Sequence, residues 1–151
     1  MQIEVNPPEE AELIEQLKKR DDPEAKRLLR FLAMPDLSRQ AGSPIAELVQ
    51  RILKIPRFSY FDDIKVPEIV PAGISFDLFN FQPDHSARSK SDSYFIDDSV
   101  LRTHTTVMWY YWLGQDAVKE KIKNKHSVGA LSYGKVYRKD EIDRHHMTVF
   151  H

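Results

Sequence analysis

Five of the six histidines lie between His104 and His151, and Arg102, Arg138 and Arg144 sit among them. The run Tyr137-Arg138-Lys139-Asp140-Glu141 sets a guanidinium on a strand, with carboxylates two and three residues later. Strand side chains alternate, so 138 and 140 share a face while the strand lasts. A cation and an acceptor on one face suit a ligand that carries both a phosphate and hydrogen-bond donors, because the arginine fork can grip phosphate through two parallel bonds. The same spacing also fits a plain surface ion pair between Arg138 and Asp140. His145-His146, with His151 beyond, raises a metal. A zinc site needs three or four ligands in tetrahedral reach, adjacent strand residues point to opposite faces, and only His104 offers a further ligand. No metal ligands are therefore assigned. Thr103-His104-Thr105-Thr106 precedes an aromatic run and fits a capping segment as well as a binding one. No Ser/His/Asp order with nucleophile-elbow glycines occurs, so hydrolase chemistry has no support.

These residues need elements to position them. The first forty residues read as two polar helices packed on the main body as a solvated hairpin. Asn6 is placed to cap the first, with Pro7-Pro8-Glu9-Glu10 in its opening turn and Leu13, Ile14 and Leu17 at helical spacing. Asp22-Pro23 restarts the pattern, Leu28, Leu29 and Leu32 share a face, and Met34-Pro35 ends it. Ser43-Pro44 opens a third helix, whose Ile45, Leu48, Val49, Ile52 and Leu53 form a continuous apolar stripe. Residues 58–61 and 64–70 read as strands, with Pro67 at a strand start or an edge because it has no N–H to donate. Residues 80–93 form a long polar loop, a length that in compact domains is often functional. Strands are expected at 94–96, 130–133 and 135–138, the last pair bent at Gly134. Helices are expected at 107–113 and 115–125, a loop at 140–146, and the start of a strand at Val149-Phe150. Helices first and strands later point to an α+β fold with an antiparallel sheet.

Composition narrows the field. The 151 residues suit one domain, and the 41% hydrophobic content argues against a wholly disordered chain. The net charge of −1 gives no global field for holding nucleic acid. With no cysteine there is no disulfide framework, thiolate zinc site or cysteine nucleophile, which fits a cytoplasmic chain. No apolar run reaches membrane-span length, and the opening Met1-Gln2-Ile3-Glu4-Val5-Asn6 lacks a signal-peptide pattern, so no membrane partner is expected. Five glycines leave no phosphate loop or dinucleotide fingerprint.

Residues 134–151 resemble motif 2 of class II aminoacyl-tRNA synthetases, in the form found in phenylalanyl-tRNA synthetase alpha subunits. Gly134, Val136, Tyr137, Arg138, Asp140, Asp143, His146, Phe150 and His151 match that pattern without a gap. Leu101-Arg102-Thr103-His104-Thr105-Thr106 resembles the family's Leu-Arg-Thr-His-Thr-Ser. Phe76-Asp77-Leu78-Phe79-Asn80, Pro83-Asp84-His85-Ser86-Ala87-Arg88 and Asp92-Ser93-Tyr94-Phe95 resemble further family blocks in the same order. The helix at 44–55 followed by Val66-Pro67-Glu68-Ile69 resembles motif 1, the dimer-interface helix and strand with its proline.

The resemblance implies a part of the class II antiparallel sheet flanked by helices, with 1–42 a helical N-terminal segment and 43–151 the N-terminal part of a catalytic domain. It implies ATP-dependent activation of phenylalanine and its attachment to tRNA(Phe) by the complete enzyme, with Mg²⁺ as cofactor. A beta subunit, or self-association through motif 1 at Pro67, is expected as partner. Arg138 is similar to the arginine that holds the ATP α-phosphate and the amino-acid carboxylate. Asp140 falls at the position that accepts from the adenine amino group, His146 near the ATP phosphates, and Phe150 where a ring stacks on adenine. His104 and Thr106 fall where the family meets the substrate α-amino group.

The departures matter. Trp109 stands where the family has a glutamine facing the amino acid, Val107 replaces a proline, His145 a threonine and Lys135 an arginine. Trp109 is expected to pack in the core. The motif 3 arginine and the side-chain pocket have no counterpart before His151, so the chain reads as a fragment or truncated product, inactive alone. A non-catalytic synthetase-like paralogue that binds nucleotide or serves interaction, and a class II ligase for another amino acid, remain alternatives.

Overall fold

The computed structural model describes residues 1–139, 144 and 149–150. Along the chain run β1 (Gln2–Glu4), α1 (Pro8–Lys19), α2 (Pro23–Ala33), α3 (Pro44–Leu53), β2 (Asp62–Lys65), β3 (Ile69–Pro71) and α4 (Ala72–Ser75). There follow β4 (Phe95–Ile96), β5 (Ser99–Leu101), α5 (Met108–Leu113), α6 (Asp116–Lys123), β6 (Ala130–Ser132), β7 (Val136–Tyr137) and β8 (Val149–Phe150).

The helices start where the sequence supplies a cap and a proline. Asp22 accepts the Ala25 N–H at 2.9 Å to open α2, and the Ser43 hydroxyl accepts the Ile45 N–H at 3.2 Å to open α3. At α1 the cap position falls on Pro7 and no side chain bonds there, so Asn6 lies one residue outside the role expected of it. Glu9 and Glu10 in the first turn and Lys18 and Lys19 in the last complement the helix dipole.

The strands form three small sheets. The antiparallel one runs β3-β5-β4, with Ile69 opposite Leu101 and Val100 opposite Phe95. Its residues are apolar on both faces because helices cover both. Ile69, Ile96 and Leu101 meet Leu17, Ala25, Leu28 and Phe31 of α1 and α2 on one side. Val70 and Val100 meet Phe76, Val107, Trp112 and Val118 on the other. Beside it β1-β2-β6 form a parallel sheet, and β7 pairs antiparallel with β8.

Three further expectations are corrected. Residues 58–61 are not a strand: Pro56 starts a 3-10 turn, and the Phe58 and Tyr60 rings pack on Phe61 at 5.0 and 4.9 Å. The run 64–70 is split at Val66-Pro67-Glu68, so that β2 and β3 enter different sheets. Trp109 is 40% exposed, and Trp112 takes the core position instead, its indole N–H donating to buried Asp62 at 3.0 Å. The helix is short, and Val107, Tyr111 and Trp112 already fill its inward face. Among the described residues no helix is long and apolar enough to cross a membrane.

Candidate active site

Arg138 follows β7, and three sets of bonds fix that strand. The Tyr137 N–H donates to the Arg102 carbonyl at 3.0 Å, and the Lys139 N–H to the Asp92 carbonyl at 2.9 Å. Arg102 is buried and donates Nε to the Lys135 carbonyl at 2.8 Å and Nη1 to the Val66 and Pro67 carbonyls at 2.6 and 3.1 Å. Lys135, 1% exposed, reaches the end of α2, where its ammonium donates to the Leu32 and Met34 carbonyls at 2.9 and 2.7 Å. The same ammonium pairs with Glu68 at 3.0 Å. A helix end leaves its last carbonyls without partners, and a buried ammonium needs acceptors, so each satisfies the other.

The Tyr137 hydroxyl donates to the same Glu68 carboxylate, and the Glu68 and Ile69 N–H groups donate to Glu10 at 2.7 and 2.9 Å. Burial, with Glu68 next to it, pushes the Tyr137 phenol far above the usual tyrosine range, so it stays a donor. Burial also raises the Glu10 carboxyl against the two backbone N–H bonds, and it lowers Arg102 from the usual arginine value against the pull of Glu68. Gly134 closes the arrangement. Its φ is +149°, and a Cβ there would lie 2.5 Å from the Arg102 guanidinium and 3.0 Å from Asp36.

A cavity of about 330 Å³ opens beside this anchored strand and is lined by Arg138, His104, Thr103, Tyr137 and the loop residues Phe81 and His85. Arg138 and His104, from different elements, thus share one wall space. The His104 Nε2 donates to the Ser75 carbonyl at 3.0 Å, which leaves Nδ1 with its lone pair. That Nδ1 is buried without a hydrogen-bond partner. The ring meets Phe79 edge-on at 5.1 Å. A guanidinium and an acceptor nitrogen at one cavity can hold an anionic group and a donor group together.

Thr106 is exposed and lines a second cavity, of about 480 Å³, between His104 and the α3 stripe of Ile45, Leu48, Val49 and Ile52. Phe150 is half-buried and sits opposite Val136, which lines that second cavity. Pro67 is buried within the chain between β2 and β3. Asp140, Asp143, His145, His146 and His151 lie outside the described residues. In the sequence Arg102 stands among the histidines and Lys135 in place of a family arginine, but the buried structural role of each was missed. Their signal was a cation within otherwise apolar strand sequence, which can stay charged there only by finding buried partners.

Residues 31–151 match the family described as tRNA synthetases class II core domain (F), and the chain belongs to it. Its relatives make the likeness more specific. It is 31% identical over 146 residues to the phenylalanine–tRNA ligase alpha subunit of Thermotoga neapolitana, covering 95% of this chain and 42% of that protein. It is 35% identical over 109 residues to the alpha subunit of the same name from Malacoplasma penetrans, covering 72% and 30% of the two. With that of Mycolicibacterium vanbaalenii it shares 38% over 89 residues, 56% of this chain and 23% of the other. The chain thus spans under half the length of these relatives.

Proposed function

We propose that this chain supplies part of the catalytic core of a phenylalanine–tRNA ligase. That enzyme would activate phenylalanine with ATP and transfer it to tRNA(Phe) in the cytoplasm. In this reading residues 1–42 are a helical N-terminal segment and 43–151 the N-terminal part of the catalytic domain. The observation that carries it is the shared cavity of Arg138 and His104. A carboxylate oxygen of phenylalanine attacks the ATP α-phosphorus in line, pyrophosphate leaves, and an aminoacyl adenylate results. Negative charge grows on the α-phosphate oxygens in that transition state, and a guanidinium beside them lowers its energy. His104 Nδ1, a buried acceptor, suits the substrate ammonium, and Thr106 would add a hydroxyl from the adjoining cavity. Asp140, His146 and Phe150 are proposed for the nucleotide by resemblance, and Phe150 would stack on adenine.

Class II synthetases use ATP and a divalent metal in general, and Mg²⁺ is the ion proposed. Among the described residues no group of three His, Asp or Glu is placed to hold a metal, so no step is assigned to one. A beta subunit or a second copy bound through the motif 1 region, α3 and Pro67, is the proposed protein partner. Trp109 in place of the family's glutamine favours one other reading, a ligase for a different amino acid. ATP–pyrophosphate exchange over all twenty amino acids tests both, using this chain fused to the remaining portion of the Thermotoga neapolitana relative. Exchange with phenylalanine alone is expected. A clear preference for another amino acid overturns the specificity, and no exchange with any overturns the activity.

A further inference from the structure

We propose that His85 is a second phosphate donor in this cavity, giving its Nε2–H to a phosphate oxygen held by Arg138; the inference rests on the nucleotide reading above. His85 lines the same cavity as Arg138 and His104. Its Nδ1 accepts the Ala87 N–H at 3.1 Å. A neutral imidazole with its lone pair used at Nδ1 carries its proton at Nε2, so the free edge of the ring is a donor.

The ring is also held in place. It stacks nearly parallel on Phe81, with centroids 4.7 Å apart and 15° between planes. Phe81 in turn lies against Phe76 at 5.9 Å and edge-on to His104 at 6.1 Å. Arg88 clamps the loop from behind, donating to Asp77 and to the Phe81 carbonyl at 3.2 Å. The Ser93 hydroxyl donates to the Ala87 carbonyl at 2.6 Å, tying the residue whose N–H His85 accepts to the segment before β4. A donor whose orientation is fixed before the ligand arrives loses little entropy on binding. Among the described residues one carboxylate, Asp92, also lines the cavity, and its Oδ1 already accepts the Ser91 hydroxyl at 2.6 Å.

The test is isothermal titration of ATP, and separately of inorganic tripolyphosphate, into the 151-residue chain and its variants. His85→Asn keeps an acceptor for the Ala87 N–H and removes the distal donor. It should weaken both probes by roughly tenfold or more, the scale for one hydrogen bond to a charged group. His85→Gln places an N–H near the lost Nε2 and should stay within about threefold of wild type, as a donor role requires. If Arg138→Ala loses ATP while His85→Asn binds as wild type does, the inference falls and the nucleotide reading stands. If Gln is as weak as Asn, or if Asn weakens ATP alone, His85 serves the loop or the nucleoside and the inference is overturned. No ATP binding by the wild-type chain overturns the inference and the nucleotide reading together.

Discussion

Arg138 carries the chemistry proposed here, and replacing it should be costly out of proportion to its exposure. Arg138→Ala in the fused enzyme should lower ATP–pyrophosphate exchange by roughly 10²–10³-fold, the scale for losing one charge partner of a transition state. A loss below about threefold would leave Arg138 a surface ion-pair residue. Trp109 makes the opposite case. It is 40% exposed, so Trp109→Gln should change stability by less than about 0.5 kcal/mol in a denaturant melt. A loss above about 2 kcal/mol would place it in the core after all. Sequence distinguished these two residues unequally. The family resemblance set Arg138 and His104 at one substrate, and both line one cavity. Four consecutive aromatics at 109–112 carried no sign of which would turn inward, because that depends on the rotation of a helix of one and a half turns against Asp62.

At the scale of elements, the account rests on Lys135 as the tie between α2 and β7. Lys135→Met removes one ammonium from two helix-end carbonyls and from Glu68, and should destabilise the chain by about 3 kcal/mol, as breaking a buried ion pair does. Lys135→Arg, which restores a cation, should recover most of that in the same urea titration; equal losses from both would mean the site tolerates only the volume of lysine. The α2 cap gives a pH test. Arg20 and the Ala25 N–H hold the Asp22 carboxyl at about 2, below its ordinary 3.8. The folded pKa is depressed, so its stabilisation is present above about pH 4 and is lost as pH falls toward 2. The melting temperature of Asp22→Ala should therefore lie below wild type at pH 7, and the gap should narrow as pH falls below about 4 and close only below pH 2; a gap of full size there would exclude the charge as its source. The helices at 8–19, 23–33 and 44–53 were legible because prolines and caps mark their starts. The parallel sheet was not. β1 is three residues with one half-buried side chain, and β2 ends at the same Val66-Pro67 step that begins the antiparallel sheet, so neither offers a period to read.

For the molecule as a whole, two features bear on the proposed partners and ligand. The stripe of α3 lines the larger cavity, yet Leu48 remains 58% exposed, an uncommon exposure for the central residue of an amphipathic helix. If motif 1 joins two copies or a beta subunit, Leu48→Glu should shift the oligomeric mass toward the single chain in light scattering, and an unchanged mass would remove α3 from the interface. The other feature is the cavity lined by Arg138, His104 and His85. Titration of ATP into this chain measures most directly whether Arg138 belongs to a nucleotide site. The account predicts one ATP bound per chain, with binding lost in Arg138→Ala while the melting temperature is kept. ATP binding that survives Arg138→Ala, or no binding by the wild-type chain, would contradict it.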